Sequence, residues 1–70
     1  MNTRGIDLKL ARVGERIKQR QVGDAMGVSE SRIAHIEALD VVPPRAAARY
    51  VKALEWCRTS RTSDSPVEAA

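Results

Sequence analysis

The stretch Gln19-Arg20-Gln21-Val22-Gly23-Asp24-Ala25-Met26-Gly27-Val28-Ser29-Glu30-Ser31-Arg32-Ile33-Ala34-His35-Ile36-Glu37 decides the fold. Two short helical patterns meet in it, at Gly27-Val28-Ser29. The first is apolar at Val22, Ala25 and Met26. The second is apolar at Ile33 and Ile36, the spacing of a one-sided helix. Gly27 is read as the end of the first helix, because glycine takes the left-handed conformation without a Cβ clash. Ser29 starts the second, its hydroxyl placed to accept from a backbone N–H that the helix leaves over. Gly23 sits one turn before Gly27. A glycine inside a helix costs up to roughly 1 kcal/mol against alanine, so close approach of another helix is expected there.

Working outward, 70 residues support one small domain with a modest core. Asp7 is read as the N-cap of a first helix running to about Val13, with Leu8, Ala11 and Val13 inward. Gly14 breaks it, the alternative being a continuous helix through Ile17. The break leaves Ile17 as a buried residue just ahead of a second helix, Lys18 to Met26. The third helix runs from about Ser29 to Ala38. Asp40-Val41-Val42-Pro43-Pro44 is a loop, and Pro44 opens a fourth helix to about Arg58, since proline is tolerated at a first helical position. Ala47, Val51 and Leu54 form its inward stripe, with Tyr50 and Cys57 at the edge. The expected fold is therefore all-α, a compact bundle of four to five short helices. Residues 1–5 are read as a flexible arm, 6–58 as the folded domain and 59–70 as a flexible Ser/Thr/Pro-containing tail.

Several function classes drop out on composition. A single cysteine excludes an internal disulfide, and one cysteine with one histidine rules out a zinc site of the usual four-ligand kind. There is no long apolar run for a membrane span and no apolar signal core, so a cytoplasmic protein is expected. No Ser, Cys or Asp stands at a convincing spacing from His35 to form a relay, so no enzyme, cofactor or small-molecule substrate is expected. Net charge is +3, and its placement matters more than its size. Arg4, Lys9, Arg12, Arg16, Lys18 and Arg20 precede an acidic centre, and Arg45, Arg49, Lys52 and Arg58 follow it. Basic blocks flanking a central segment suit a binder of phosphate backbone; plain solubility is the alternative.

The spaced set Gln19, Val22, Gly23, Gly27, Val28, Ser29, Ile33, Ile36 and Glu37 resembles the helix-turn-helix of the phage repressor and Cro family. Pro43-Pro44 and Tyr50-Val51-Lys52-Ala53-Leu54 resemble the helix that follows it. The resemblance covers roughly residues 6 to 57 without a gap. It implies a DNA-binding domain in which Gln19 touches the DNA backbone and braces a side chain of the recognition helix, while Arg12 pairs with Glu37. The family usually carries a glycine where Leu39 stands here, which leaves the loop geometry open.

On a helical wheel with Ile33 and Ile36 inward, Ser31 and Ala38 point most directly outward, flanked by Glu30, Ala34 and His35. Glu30, Ser31, Ala34 and His35 are the candidate base readers: a carboxylate accepts from cytosine, a hydroxyl bonds several edges, and a methyl touches thymine. His35 reads equally as a solvated side chain. Lys18, Arg20, Arg16 and Arg32, with Gln19, are the candidates for the DNA backbone. Trp56 falls off the inward stripe of the fourth helix. It is a candidate contact of a homodimer, or it folds back over its own core. Double-stranded DNA carrying a palindromic operator is the expected partner, and a small interface would confine dimerisation to the DNA-bound state. An antitoxin or other interaction module on the same fold is the alternative.

Overall fold

Two residues in the left-handed region, Arg16 (φ 59°) and Gly27 (φ 74°), divide the first half of the chain into short helices. The computed structural model describes residues 3–60 with their side chains and carries the last helix to Ala69. The elements are α1 (Gly5–Gly14), α2 (Gln19–Met26), α3 (Glu30–Ala38) and α4 (Pro44–Ala69). They form the expected all-α bundle: α2 packs on α3 and α4, and α1 packs on α3 and, less extensively, on α4.

Both left-handed residues close a helix in the same way. Ile17 N–H returns to the Arg12 carbonyl at 3.2 Å, and Arg16 N–H to Val13 at 2.9 Å. In α2, Val28 N–H returns to Gly23 at 2.9 Å and Gly27 N–H to Asp24 at 3.3 Å. Each pair satisfies carbonyls that a helix end otherwise leaves over. Gly14 is thus the last helical residue rather than the pivot, and the pivot is an arginine. The break between α1 and α2 stands, with Ile17 buried behind it.

Glycine at position 23 has a different cause from the one expected. A Cβ there would lie 2.8 Å from the Val28 carbonyl oxygen, so the turn's own backbone, not a neighbouring helix, occupies the space.

The first helix begins earlier than Asp7. Gly5 is already helical and buried, and Asp7 lies in the first turn. Residues 3–5 are not a loose arm. Val42 N–H donates to the Thr3 carbonyl at 2.8 Å, and Gly5 N–H donates to the Leu39 carbonyl at 3.0 Å. A Cβ on Gly5 would come within 2.5 Å of that Leu39 oxygen, so the chain passes here with no room for a side chain. The fourth helix does not stop at about Arg58 but continues to Ala69, through the residues read as a tail, whose side chains beyond Ser60 lie outside those described.

The core consists of Leu8, Ile17, Val22, Ile33, Ile36, Val42, Ala47, Tyr50, Ala53, Leu54 and Cys57. Full burial of a side chain such as Val22 or Ile33 contributes about 1.5–3 kcal/mol. Two inward stripes differ from expectation. On α1, Leu8 and Arg12 face in, whereas Ala11 and Val13 are exposed. On α4, Tyr50 and Ala53 are buried and Val51 is turned out. Both differences have one physical reason, a polar cluster at the centre of the bundle that accommodates an arginine and a tyrosine.

Candidate nucleic-acid interface

Glu37, near the end of α3, is the hub of that cluster. Its Oε2 accepts from Arg12 Nε at 2.6 Å, and its Oε1 from Arg12 Nη2 at 3.2 Å and from Gln19 Nε2 at 3.0 Å. Tyr50 Oη donates to Oε2 as well. Arg12 Nη1 is used by the Ile17 carbonyl at 2.8 Å. A paired arginine and carboxylate with their remaining capacity filled can be buried, whereas either alone could not. Both are buried here, and among the described residues no buried side-chain polar atom lacks a partner. One carboxylate so joins all four helices: Arg12 from α1, Gln19 from α2, its own α3 and Tyr50 from α4.

The electrostatics agree with this geometry. Burial pushes the Glu37 carboxyl up, but hydrogen bonds from Arg12, Tyr50 and Gln19 and the Arg12 charge outweigh it and hold the pKa below the ordinary 4.5. The hydrogen bond to Glu37 raises Arg12. Burial and then the bond to Glu37 raise the Tyr50 phenol.

With Ile33, Ile36 and Glu37 fixed inward, the other residues of α3 are exposed in a continuous arc. Taken round the helix at 100° per residue the order is Glu30, Ala34, Ala38, Ser31, His35, Arg32. The four candidate readers therefore lie together on one face. Ser29 holds the start of that helix, its Oγ accepting from Arg32 N–H at 3.2 Å.

Gln19 opens α2 at its N-terminus, half-buried, with its amide nitrogen committed to Glu37. Gln21 Oε1 accepts from Lys18 N–H at 2.8 Å, which fixes the entry into the helix. The first amides of α2 have no carbonyl within the helix to bond, and such an end favours an anion. Arg16, Lys18 and Arg20 are exposed around it, and the first turn contains no acidic residue. The surface thus combines a polar, adaptable helix face with a cationic helix end, separated by the buried Glu37 cluster.

Leu39 explains how the chain leaves α3 without the glycine seen in the resembling family. It is extended (φ −71°, ψ 141°), a conformation open to any residue. Asp40 faces Arg4 at 3.7 Å, both exposed. Two contacts are not evident from the sequence. Helical spacing puts Tyr50 only at the edge of the inward stripe, although a tyrosine at core spacing signals a buried polar partner. Arg49 donates from Nη2 to the Met26 carbonyl at 3.2 Å and so completes the C-terminal end of α2. Trp56 does not fold over its own core; it is 62% exposed.

Among the described residues no helix is long and apolar enough to cross a membrane, and no cluster of His, Cys, Asp or Glu is placed to hold a metal. Comparison with protein-family models, with curated proteins and with solved structures finds no match in any of the three.

Proposed function

We propose that this chain is a sequence-specific double-stranded DNA-binding transcriptional regulator of the repressor and Cro helix-turn-helix kind. The observation that carries the reading is the division of labour in α3: Ile33, Ile36 and Glu37 lock one side, and Glu30, Ser31, Ala34 and His35 share the exposed other side. A helix of this size fits the major groove and presents its N-terminal side chains to base edges. Lys18, Arg20, Arg16, Arg32 and the N-terminal end of α2 supply the sequence-independent part of the affinity through phosphates. Bound at an operator, the protein acts by occluding polymerase, on DNA in the bacterial cytoplasm. A domain this small reads few base pairs, so a homodimer on a palindrome with half-sites about one helical turn apart supplies the specificity. No step of this mechanism requires catalysis or a cofactor.

The test is a binding titration against the intergenic DNA flanking the coding region and against a shuffled control, at two salt concentrations. Tight binding to the native DNA alone, persisting at the higher salt, supports the reading. Equal weak binding to both that vanishes with salt overturns it.

A further inference from the structure

We propose that the channel between the C-terminal end of α2 and the outer face of α4 docks an acidic peptide segment that inserts one apolar side chain. On α4, Arg45, Arg49, Lys52 and Trp56 follow one another at helical spacing, so they share one face. All four are exposed. Beside them lies a cavity of about 320 Å³ lined by Ala25, Met26, Arg49, Lys52, Ala53 and Trp56. That volume is at the low end of the ~300–1,000 Å³ range of ligand pockets, room for one large side chain.

The walls define the chemistry of the occupant. Ala25, Met26 and Ala53 make an apolar floor, and methionine adapts to different shapes. Trp56 forms one side, and exposed tryptophan is the residue type most enriched where partners anchor. Arg49 is held in place by its bond to the Met26 carbonyl. The rim is cationic, with Arg49 and Lys52 lining it and Arg45 one helical turn before Arg49 on the same face. Among the described residues the ion pairs are Arg4–Asp40, Arg12–Glu37 and Arg58–Glu15, and none involves Arg45, Arg49 or Lys52. Lys52 also borders a second cavity, which Glu55 lines with Val51 and Pro44, but no ion pair joins the two, and Glu55 does not line the Trp56 groove. Carboxylates around an apolar anchor complement this groove in both charge and surface. A DNA backbone offers charge but nothing to fill the apolar slot. A second copy pairing through this same face would bring the same cations. The inference is independent of the DNA-binding reading.

Trp56 is the chain's one tryptophan, so its emission reports on this groove. The experiment titrates the full chain with a short synthetic peptide of Asp and Glu around a central Leu, lacking aromatic residues. Controls replace the acids by Asn and Gln, replace Leu by Ser, or substitute a mixed-sequence DNA duplex for the peptide. The expected result is a saturable shift of Trp56 emission, at least about tenfold weaker with either altered peptide. Lys52→Glu and Arg45→Glu each weaken binding by about tenfold at unchanged melting temperature. Two exposed positions keep the test valid if one variant fails to fold. Equal binding of the amide peptide, or no saturable shift, overturns the proposal. A duplex that gives the same shift and displaces the peptide also overturns it, assigning the stripe to phosphate contact.

Discussion

Tyr50 and Arg12, from helices at opposite ends of the sequence, donate to the same oxygen, Oε2 of Glu37. Their removal is therefore not equivalent. Tyr50→Phe deletes one hydrogen bond to a charged acceptor that keeps its arginine, and is expected to lower stability by about 1.5–3 kcal/mol. Glu37→Ala strands a buried guanidinium and a buried phenol together, and is expected to cost about 3–5 kcal/mol. Urea unfolding of both variants beside the parent measures the difference. Equal losses would mean that the phenol, not the ion pair, dominates.

The same cluster sets the response to pH. Glu37 has a lower pKa folded than unfolded, so its contribution is fully present above the ordinary 4.5 and is lost as pH falls through the folded value. Tyr50 has a raised pKa, so its contribution is present below the ordinary 10.0 and is lost as pH rises towards the folded value. Melting temperature followed from pH 3 to pH 11, roughly the span of these ordinary values, is expected to decline at both ends. Glu37→Gln should flatten the acid limb, and Tyr50→Phe the alkaline limb.

The two left-handed positions invite opposite substitutions. Arg16 holds φ 59° with a side chain attached, so Arg16→Gly is expected to raise stability by up to about 1 kcal/mol after the unfolded-state entropy is counted. Gly27→Ala reverses this at φ 74° and should cost about 1 kcal/mol. Gly23→Ala should cost more than Gly27→Ala, because its Cβ meets the Val28 carbonyl at 2.8 Å while nothing lies within 4 Å of one at Gly27. Thermal melting of the three variants ranks them.

The proposed DNA-binding reading requires that candidate readers and anchors separate in binding experiments. Ser31→Ala or Glu30→Ala is expected to change which base is preferred, by about 1–3 kcal/mol at one position of the site. Lys18→Ala or Arg20→Ala should weaken all sequences together and reduce the salt slope by about 1. Selection from a randomised duplex library at two salt concentrations distinguishes them. The opposite pattern would invert the docking orientation.

The legible parts of this fold are those written in local chemistry. Gly27 and Ser29 announce the turn because one needs φ > 0 and the other a hydroxyl, and Ile33 with Ile36 fixes the face of α3. Arg16 was not legible as a pivot, since nothing in an arginine advertises a left-handed backbone. Val51 and Val13 look like core residues by hydrophobicity alone, yet both are exposed. The bundle instead buries Tyr50 and Arg12, whose polar groups are satisfied by a carboxylate far away in sequence. The family resemblance implies the Arg12–Glu37 pair, whereas the bonds of Gln19 and Tyr50 to Glu37 together depend on how three helices meet. The cationic stripe from Arg45 to Trp56 was present in the spacing, but its meaning depended on Met26 lying alongside.

Of the nine residues of α3, only Ile33, Ile36 and Glu37 are buried. The chain's architecture is accordingly indifferent to the identity of Glu30, Ser31, Ala34 and His35. Such a helix is an exchangeable cartridge: its outward letters can be rewritten by selection, or by a protein engineer, while the same carboxylate keeps the cartridge seated.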